Sequence, residues 1–310
     1  MKFLKGLLTL IVVFVGIAVF VVLPWPGLIA IVVLLGLWLA LTRRGQQAAS
    51  VAAIGIATLA QRAGSAAVIV IGIAGVVGVL VAMLAMAQGY ADTLKRTGSE
   101  DTAIVLRGAS ASEVSSVLAH DSVVVIEQAP GVARDDAGKP IVSPELVVAA
   151  NLLVRGAKDD DDMGSVQMRG IGDEAWKLRT NAKIVAGRKF EPGKYELVAG
   201  KGAQAHFAGL EPGAQIKIGS RVWTVAGIFE SGDALDSEIW ADAKVVGDTY
   251  RRGSSVTSVF ARLTNPSALD AFKSALTTDP RLQVDVDTSE HYFSKQSEGT
   301  SKAIRIIGIV

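Results

Sequence analysis

Apolar residues are concentrated in the first 90 positions of the chain, and later positions mix short apolar stretches with polar residues. The run from Ala66 to Met86 contains no charged side chain. About 20 apolar residues in succession are what a helix needs to cross the hydrocarbon core of a membrane. The pattern therefore predicts a transmembrane helix, and we place this core helix at residues 64–92.

Small residues recur at every fourth position of the predicted core helix, at Ala74, Gly78 and Ala82. In a membrane, small residues on one helical face let a second helix approach closely. We interpret the three residues as a candidate surface for helix packing. The alternative is a simple anchor whose glycines reflect only its composition.

Two more apolar runs precede the core helix, at residues 1–23 and 28–41, with a Pro-Trp-Pro-Gly stretch between them that should break a helix. The second run is short for a full crossing. We therefore expect residues 1–45 to form a membrane hairpin, either spanning or re-entrant. Residues 46–63 are interpreted as a helix lying on the cytoplasmic membrane surface, or else as a linker.

Basic residues around the apolar runs are expected to face the cytoplasm, because loops on that side are enriched in lysine and arginine. The residues on this side are Lys2, Lys5, Arg43, Arg44 and Arg62. Lys95 and Arg96, beyond the core helix, weaken the bias. The balance places the polar region, residues 93–301, outside the cytoplasm.

Short strands and short helices alternate throughout residues 93–301. Strand patterns occur at 102–106, 123–126, 146–154, 166–169, 195–199, 216–218, 222–229, 256–263 and 282–286. Helical patterns occur at 111–118, 173–178 and 267–276. This mixture predicts an α+β domain of two small lobes rather than one doubly wound sheet.

Composition and motifs exclude several classes of function. The chain has no cysteine, which excludes disulfides, thiol catalysis and cysteine-ligated zinc, and its net charge of +1 gives no reason to propose nucleic acid as a partner. It lacks the glycine-rich lysine motif that holds the phosphates of ATP. Residues 200–205, GKGAQA, match a relaxed dinucleotide pattern, but a tight strand-to-helix turn explains them better.

Carboxylates crowd the segment FESGDALDSEIW, at Glu230, Asp233, Asp236 and Glu238. Side chains this close could bind a cation or form an acid–base pair. We favour a structural role, in which Asp233 or Asp236 caps a helix that carries Trp240. No catalytic, cofactor or metal site is predicted, so the chain is not expected to be an enzyme.

Six stretches of the chain carry a family resemblance: QGYADTLKRTGSEDTAIVLRGAS, VSPELVV, MRGIG, VAGRKF, ELVAGKGAQAHFAGLEPG and WTVAGIFESGDALDSEIWAD. They resemble, in the same order, blocks of FtsX-like permeases of the MacB type, which are subunits of bacterial ABC transporters. The last stretch carries the resemblance best, through Gly227, Phe229, Glu230, Ser231, Gly232, Asp236, Ser237, Glu238 and Trp240. None of the blocks is as specific as a catalytic motif.

The resemblance implies a multi-pass permease of the bacterial inner membrane with a MacB-like α+β domain in the periplasm at residues 93–301. Such a subunit couples a separate ATPase, which binds the ATP, to export or mechanotransmission. The implied partners are the ATPase, a second permease copy, a periplasmic adaptor protein and membrane lipid. Residues 302–310 resemble the start of a further span, so we expect the front part of a longer permease. The alternative is a non-transporting, membrane-anchored module that regulates an envelope partner.

Overall fold

The computed structural model describes residues 25–59, 63–157 and 162–296. The first predicted apolar run, residues 1–23, and the predicted start of a further span, residues 302–310, lie outside these ranges. The chain divides into two units, residues 1–79 and residues 80–310.

In the first unit, helix α1 (Trp25–Leu41) is followed directly by helix α2 (Arg43–Leu59), and the two are bent by 99°. Pro26 and Gly27 lie within the first turn of α1, and the residues before Trp25 lie outside the described ranges, so the predicted break between the two apolar runs stays a prediction. Proline is tolerated there, since the first N–H groups of a helix have no acceptor within it. The location of α2 on the cytoplasmic membrane surface stays a prediction.

The predicted core helix is present as helix α3 (Ala63–Thr97), which extends five residues beyond the expected end at 92. Its residues 67–97 contain an apolar stretch and are long enough to cross a membrane. Among the described residues, α1 and α2 would add a second crossing only if the bent pair forms one span. Ala74, Gly78 and Ala82 are all exposed. The small-residue face is therefore open to a partner helix in the single chain.

The described residues of the second unit form ten strands in one mixed sheet, with the order β10-β1-β9-β2-β3-β8-β5-β7-β4 and β6 paired to β7. The strands are β1 (Thr102–Arg107), β2 (Val142–Leu153), β3 (Met163–Ile171), β4 (Lys183–Gly187), β5 (Glu196–Gly200), β6 (Gln215–Ile218), β7 (Arg221–Glu230), β8 (Ile239–Asp242), β9 (Ser258–Arg262) and β10 (Val284–Thr288). The helices are α4 (His120–Glu127), α5 (Glu174–Leu178), α6 (Lys201–His206), α7 (Ala243–Thr249) and α8 (Leu269–Thr277). Residues 289–296 are also helical.

Two hydrophobic cores divide this sheet into two lobes, and strand β2 belongs to both. Its residues 142–145 pair with β9, whereas residues 146–153 pair with β3. Lobe 1 contains β1, β9 and β10 with helices α4 and α8, and lobe 2 contains β3 to β8 with helices α6 and α7. The two predicted lobes exist, but one continuous sheet joins them.

Two local predictions in lobe 1 are wrong. The predicted helix at 111–118 forms only a short 3-10 helix, Glu113–Ser115, and the predicted strand at 123–126 lies inside α4. The β-branched valines there favour a strand by intrinsic preference. Val123 and Ile126, however, are spaced for one helical face and are both buried in the core of lobe 1. Packing therefore overrides the local preference.

The two ends of the α+β part of the second unit, near Ser99 and Ser289, lie side by side. The backbone N–H of Ser99 donates to Oγ of Ser289 at 2.8 Å, and that hydroxyl donates to the carbonyl of Ser99 at 3.1 Å. A Cβ atom on Gly98 would lie 2.4 Å from the backbone carbonyl carbon of Ser289. Leu94 of α3 and Phe293 of segment 289–296 share one small core. The end of α3 and the segment 289–296 are thus held together, and we call this contact the base of the domain.

Candidate functional site between the lobes

Five charged side chains are buried where β2 changes from one lobe to the other. Each of these residues is less than one tenth exposed, which is unusual for charged residues unless they are paired. They are Glu113, Glu145, Arg169, Arg179 and Glu238, and we call them the interlobe cluster.

Arg169, near the end of β3, connects carboxylates from both lobes. Its Nε and Nη2 atoms each donate to one oxygen of Glu238 at 2.7 Å. Its Nη1 atom donates to Glu113 at 2.8 Å and to Glu145 at 2.9 Å. The planar guanidinium has five N–H donors in a fixed fork, so one side chain can hold several carboxylates at once.

Arg179 adds a second guanidinium just after α5 ends. It donates through both Nη atoms to Glu145, at 2.6 and 2.8 Å, and its guanidinium carbon lies 4.7 Å from the ring centroid of Phe260. Three carboxylates face two guanidinium groups, so the cluster has one more negative group than positive groups. Neutral groups also donate hydrogen bonds that stabilise these carboxylates. Ser143 donates to Glu145 at 2.9 Å, Trp240 donates to Glu238 at 2.9 Å, and Ser258 donates to Glu113 at 2.7 Å.

The carboxylate-rich segment brings Glu238 into this cluster by forming a tight turn. Asp233 caps a 3-10 helix, Ala234–Ser237, by accepting from the N–H of Leu235. Asp236 accepts from the backbone N–H groups of Ser231 and Gly232 at 2.6 and 3.0 Å. The predicted capping role of Asp233 is confirmed.

The prediction that a helix carries Trp240 is wrong, because this residue lies in strand β8. It stacks on Phe229, with ring centroids 4.0 Å apart. Glu230 instead accepts from Lys201 at 2.7 Å on the surface. A Cβ atom on Gly227 would lie 2.5 Å from the carbonyl of Arg188, so β7 passes very close to the backbone there.

The segment GKGAQA forms the predicted strand-to-helix turn between β5 and α6. Among the described residues, no group of three or more histidine, aspartate or glutamate side chains is arranged to hold a metal ion. The carboxylates of the FESGDALDSEIW segment are instead engaged with backbone N–H groups, arginine and lysine.

Burial and charge act in opposite directions on this cluster. Burial alone would raise the pKa of Glu113, but the charge of Arg169 and its hydrogen bonds hold that pKa below the ordinary 4.5. Burial likewise opposes the charged form of Arg169, and the charges of Glu113 and Glu238 outweigh it, so the pKa of Arg169 is raised. Both directions favour the charged forms of Glu113 and Arg169 at neutral pH.

We expect the stability contribution of Glu113 to be lost in acid. Because its pKa is lower in the folded chain than in the unfolded chain, the contribution is complete above pH 4.5 and decreases as the pH falls through the lowered value. The melting temperature of the detergent-solubilised chain, followed by tryptophan fluorescence, should exceed that of Glu113→Gln at neutral pH, and the gap should close in acid. The exposed Glu100→Gln provides the control, and an unchanging gap for Glu113→Gln would contradict the assignment.

A cavity of about 410 Å³ lies beside the cluster. Leu94 of α3, Tyr292 of segment 289–296 and Ser237 of the tight turn line it, together with Glu113 and Glu238. Oη of Tyr292 accepts from the backbone N–H of Glu113 at 3.0 Å. Burial, together with the charge of Glu113, raises the pKa of Tyr292. Tyr292 therefore connects the base of the domain to the interlobe cluster through its hydrogen bond with Glu113.

The family model of the MacB-like periplasmic core domain matches residues 63–279, which is more than half of the chain. The chain belongs to the MacB-like periplasmic core domain family. This match confirms the MacB-like resemblance that the six sequence blocks indicated. It identifies the α+β part as a MacB-like periplasmic domain, and α3 is an apolar helix that suits a membrane anchor.

Solved structures similar to this MacB-like chain include domains of three other bacterial proteins. The periplasmic region of MacB from Actinobacillus actinomycetemcomitans is 15% identical, with 66% of this chain and 95% of that chain covered and a TM-score of 0.47. The extracellular domain of the ABC-type transporter YknZ from Gram-positive bacteria is 15% identical, with 60% and 100% covered and a TM-score of 0.45. A domain of a permease protein from Porphyromonas gingivalis is 10% identical, with 60% and 88% covered and a TM-score of 0.37.

The family assignment depends on the family model and not on these distant structures. A comparison with curated proteins gives no match.

Four of the five cluster residues are not among the candidate site residues predicted from the sequence. Only Glu238 is, within the carboxylate-rich block. A signal existed in two strands: Glu145 and Arg169 are single charges inside otherwise apolar or small stretches, VSPELVV and MRGIG. A charge on the inward face of a strand needs a buried partner, but neither stretch shows which residue that partner is.

Proposed function

We propose that this chain is the permease subunit of a bacterial ABC transporter and that it couples a separate cytoplasmic ATPase to the MacB-like domain outside the membrane. The chain works in the inner membrane as a multi-pass subunit and serves export or mechanotransmission. Its partners are the ATPase, a second permease copy, membrane lipid and a periplasmic adaptor protein.

The observation that carries this proposal is the continuity of helix α3. The helix runs unbroken from Ala63 to Thr97, contains the apolar stretch, and ends at the base of the domain. The family match starts at its first residue. An unbroken helix transmits displacement along its axis without a flexible linker, which is what a subunit that couples two compartments requires.

Co-purification tests the coupling. A full-length chain with an affinity tag, solubilised in mild detergent, is expected to retain an ATPase whose ATP hydrolysis rate changes on binding. A parallel purification of residues 93–301, exported without α3, provides the comparison and is expected to retain no ATPase. Recovery of an envelope hydrolase and no ATPase with the full chain would overturn the proposal and favour the membrane-anchored regulatory module.

Protease added outside spheroplasts tests the topology. The region around residues 100–300 is expected to be digested, because the proposal places it in the periplasm. A cytoplasmic marker protein must stay intact in the same sample. Protection of this region in intact spheroplasts, with digestion only after lysis, would place the domain in the cytoplasm and end the proposal.

The second permease copy is proposed to pack on the face of Ala74, Gly78 and Ala82. Gly78→Leu should weaken self-association in a membrane two-hybrid assay, because the larger side chain keeps the helices apart. Gly72→Leu is the matched control, since Gly72 is also exposed and lies about 120° around the same helix from Gly78. Equal association of both variants with the unaltered chain would exclude this face.

A further inference from the structure

The interlobe cluster joins the parts of the domain that a hinge between the lobes would have to separate. Glu113 and Glu145 belong to the lobe 1 side, since Glu145 is in the part of β2 that pairs with β9, and Ser258 of β9 donates to Glu113 at 2.7 Å. Arg169 and Glu238 belong to lobe 2, where β3 pairs with β8. The guanidinium of Arg169 therefore lies at the boundary, with carboxylates from both lobes within 2.9 Å.

The same cluster is tied to both helical elements at the base of the domain. Tyr292, in segment 289–296, accepts a hydrogen bond from the N–H of Glu113. Thr97, the last residue of α3, accepts one from the N–H of Ala234, in the turn that carries Glu238. The chain that enters the domain is thus bonded to lobe 2, and the chain that leaves it is bonded to lobe 1.

Opening a hinge here would pull carboxylates away from a guanidinium that is almost fully excluded from water. Both kinds of group would then be unpaired in a site with little solvent to replace the lost partner, which is the costly arrangement for buried ions. Strand β2 adds a covalent constraint, because its backbone is part of both lobes. A sheet that continues through a hinge must also break ladder hydrogen bonds at that point.

We propose that Arg169 locks the two lobes, the end of α3 and segment 289–296 into one rigid body. In this arrangement a displacement at the base of the domain moves both lobes together, rather than opening one lobe against the other. The transport role of that movement rests on the proposed function, whereas the rigidity is a property of the chain alone. The two can therefore fail separately.

The absence of cysteine from the sequence allows a direct test by spin labelling. An interlobe pair is made by Ser274→Cys on α8 with Ala205→Cys on α6, both at exposed positions. A control pair within lobe 2 is made by Ala205→Cys with the exposed Lys244→Cys on α7. Pulsed dipolar spectroscopy of the full chain in nanodiscs then gives the distribution of distances for each pair.

We expect one narrow interlobe distribution when the cluster is intact. Arg169→Lys keeps the positive charge but offers a single ammonium in place of a fork that holds three carboxylates. It should shift and broaden the interlobe distribution and leave the pair within lobe 2 unchanged. Arg188→Lys, at a half-exposed pair with Glu196 within lobe 2, is the matched control and should change neither distribution.

Two results would overturn the lock: a broad or divided interlobe distribution in the intact chain, or a distribution that Arg169→Lys leaves unchanged. If Arg169→Lys also disturbs the pair within lobe 2, the variant has lost the fold, and Glu113→Gln, which keeps the shape of the side chain, decides by the same criteria. Addition of the co-purified ATPase with ATP should move neither distance. Failure to find an ATPase would count against the proposed function, but the distances measured on the chain alone would still test the lock.

Discussion

Arg169→Met is expected to lower the free energy of unfolding by about 3–5 kcal/mol, because removal of one partner from a buried ion pair leaves uncompensated charge behind. Three carboxylates, those of Glu113, Glu145 and Glu238, would keep their negative charges close together with only Arg179 to offset them. Since single domains are stable by only about 5–15 kcal/mol, a loss of this size lowers both the melting temperature and the yield.

Thermal unfolding of the detergent-solubilised chain, followed by tryptophan fluorescence, measures this loss. Arg281→Met is the matched control, because Arg281 is exposed and pairs with Asp279, two residues away in the same loop. Exposed pairs contribute little to stability, so the control should melt like the unaltered chain. Equal melting temperatures for the two variants would show that the cluster does not stabilise the domain.

Gly98→Val is expected to separate the end of α3 from segment 289–296. The added Cβ would lie 2.3 Å from the backbone nitrogen of Glu290 and 2.4 Å from its Cα, and a backbone cannot rotate away as a side chain can. Overpacking of this kind costs about 1–3 kcal/mol. The hydrogen bonds between Ser99 and Ser289 should be lost with it, so limited proteolysis should cut the chain near residue 98 faster.

Gly89→Ala is the matched control for this substitution. Gly89 lies on α3, which ends one residue before Gly98, and a Cβ atom on Gly89 would meet nothing within 4 Å. Alanine is a better helix former than glycine, so this variant should be at least as stable as the unaltered chain. If Gly98→Val resists protease as well as Gly89→Ala does, the base of the domain is not a tight contact.

Local patterns predicted most of the elements of the fold. The hairpin β6–β7 follows from alternating apolar residues on both sides of Gly219-Ser220, and α8 follows from the pattern after Pro266. Helix α4 was missed because its three successive valines favour a strand when only neighbours along the chain are considered. The core of lobe 1 buries Val123 and Ile126 on one helical face. The residues that form this core come from distant parts of the chain, so the segment alone does not predict the burial.

The interlobe cluster could not be assembled from the sequence because its partners are far apart along the chain. Arg169 is 24 residues from Glu145, 56 from Glu113 and 69 from Glu238. Patterns of three or four residues predict capping, as at Asp233, but they carry no information on such distant pairs. The odd placement of Arg169 in an inward-facing strand shows that a partner must exist, and only the sheet order shows which one.

The strand order has a consequence for synthesis and export of the domain. Strands β3 to β8 form one uninterrupted stretch of chain, so they can associate as soon as that stretch has emerged. Strand β1 is made first, yet both of its neighbours, β9 and β10, are made last. Its apolar residues must therefore wait, unpaired, while nearly the whole domain is translated. We therefore expect β1 to stay exposed in the newly made protein until β9 and β10 follow.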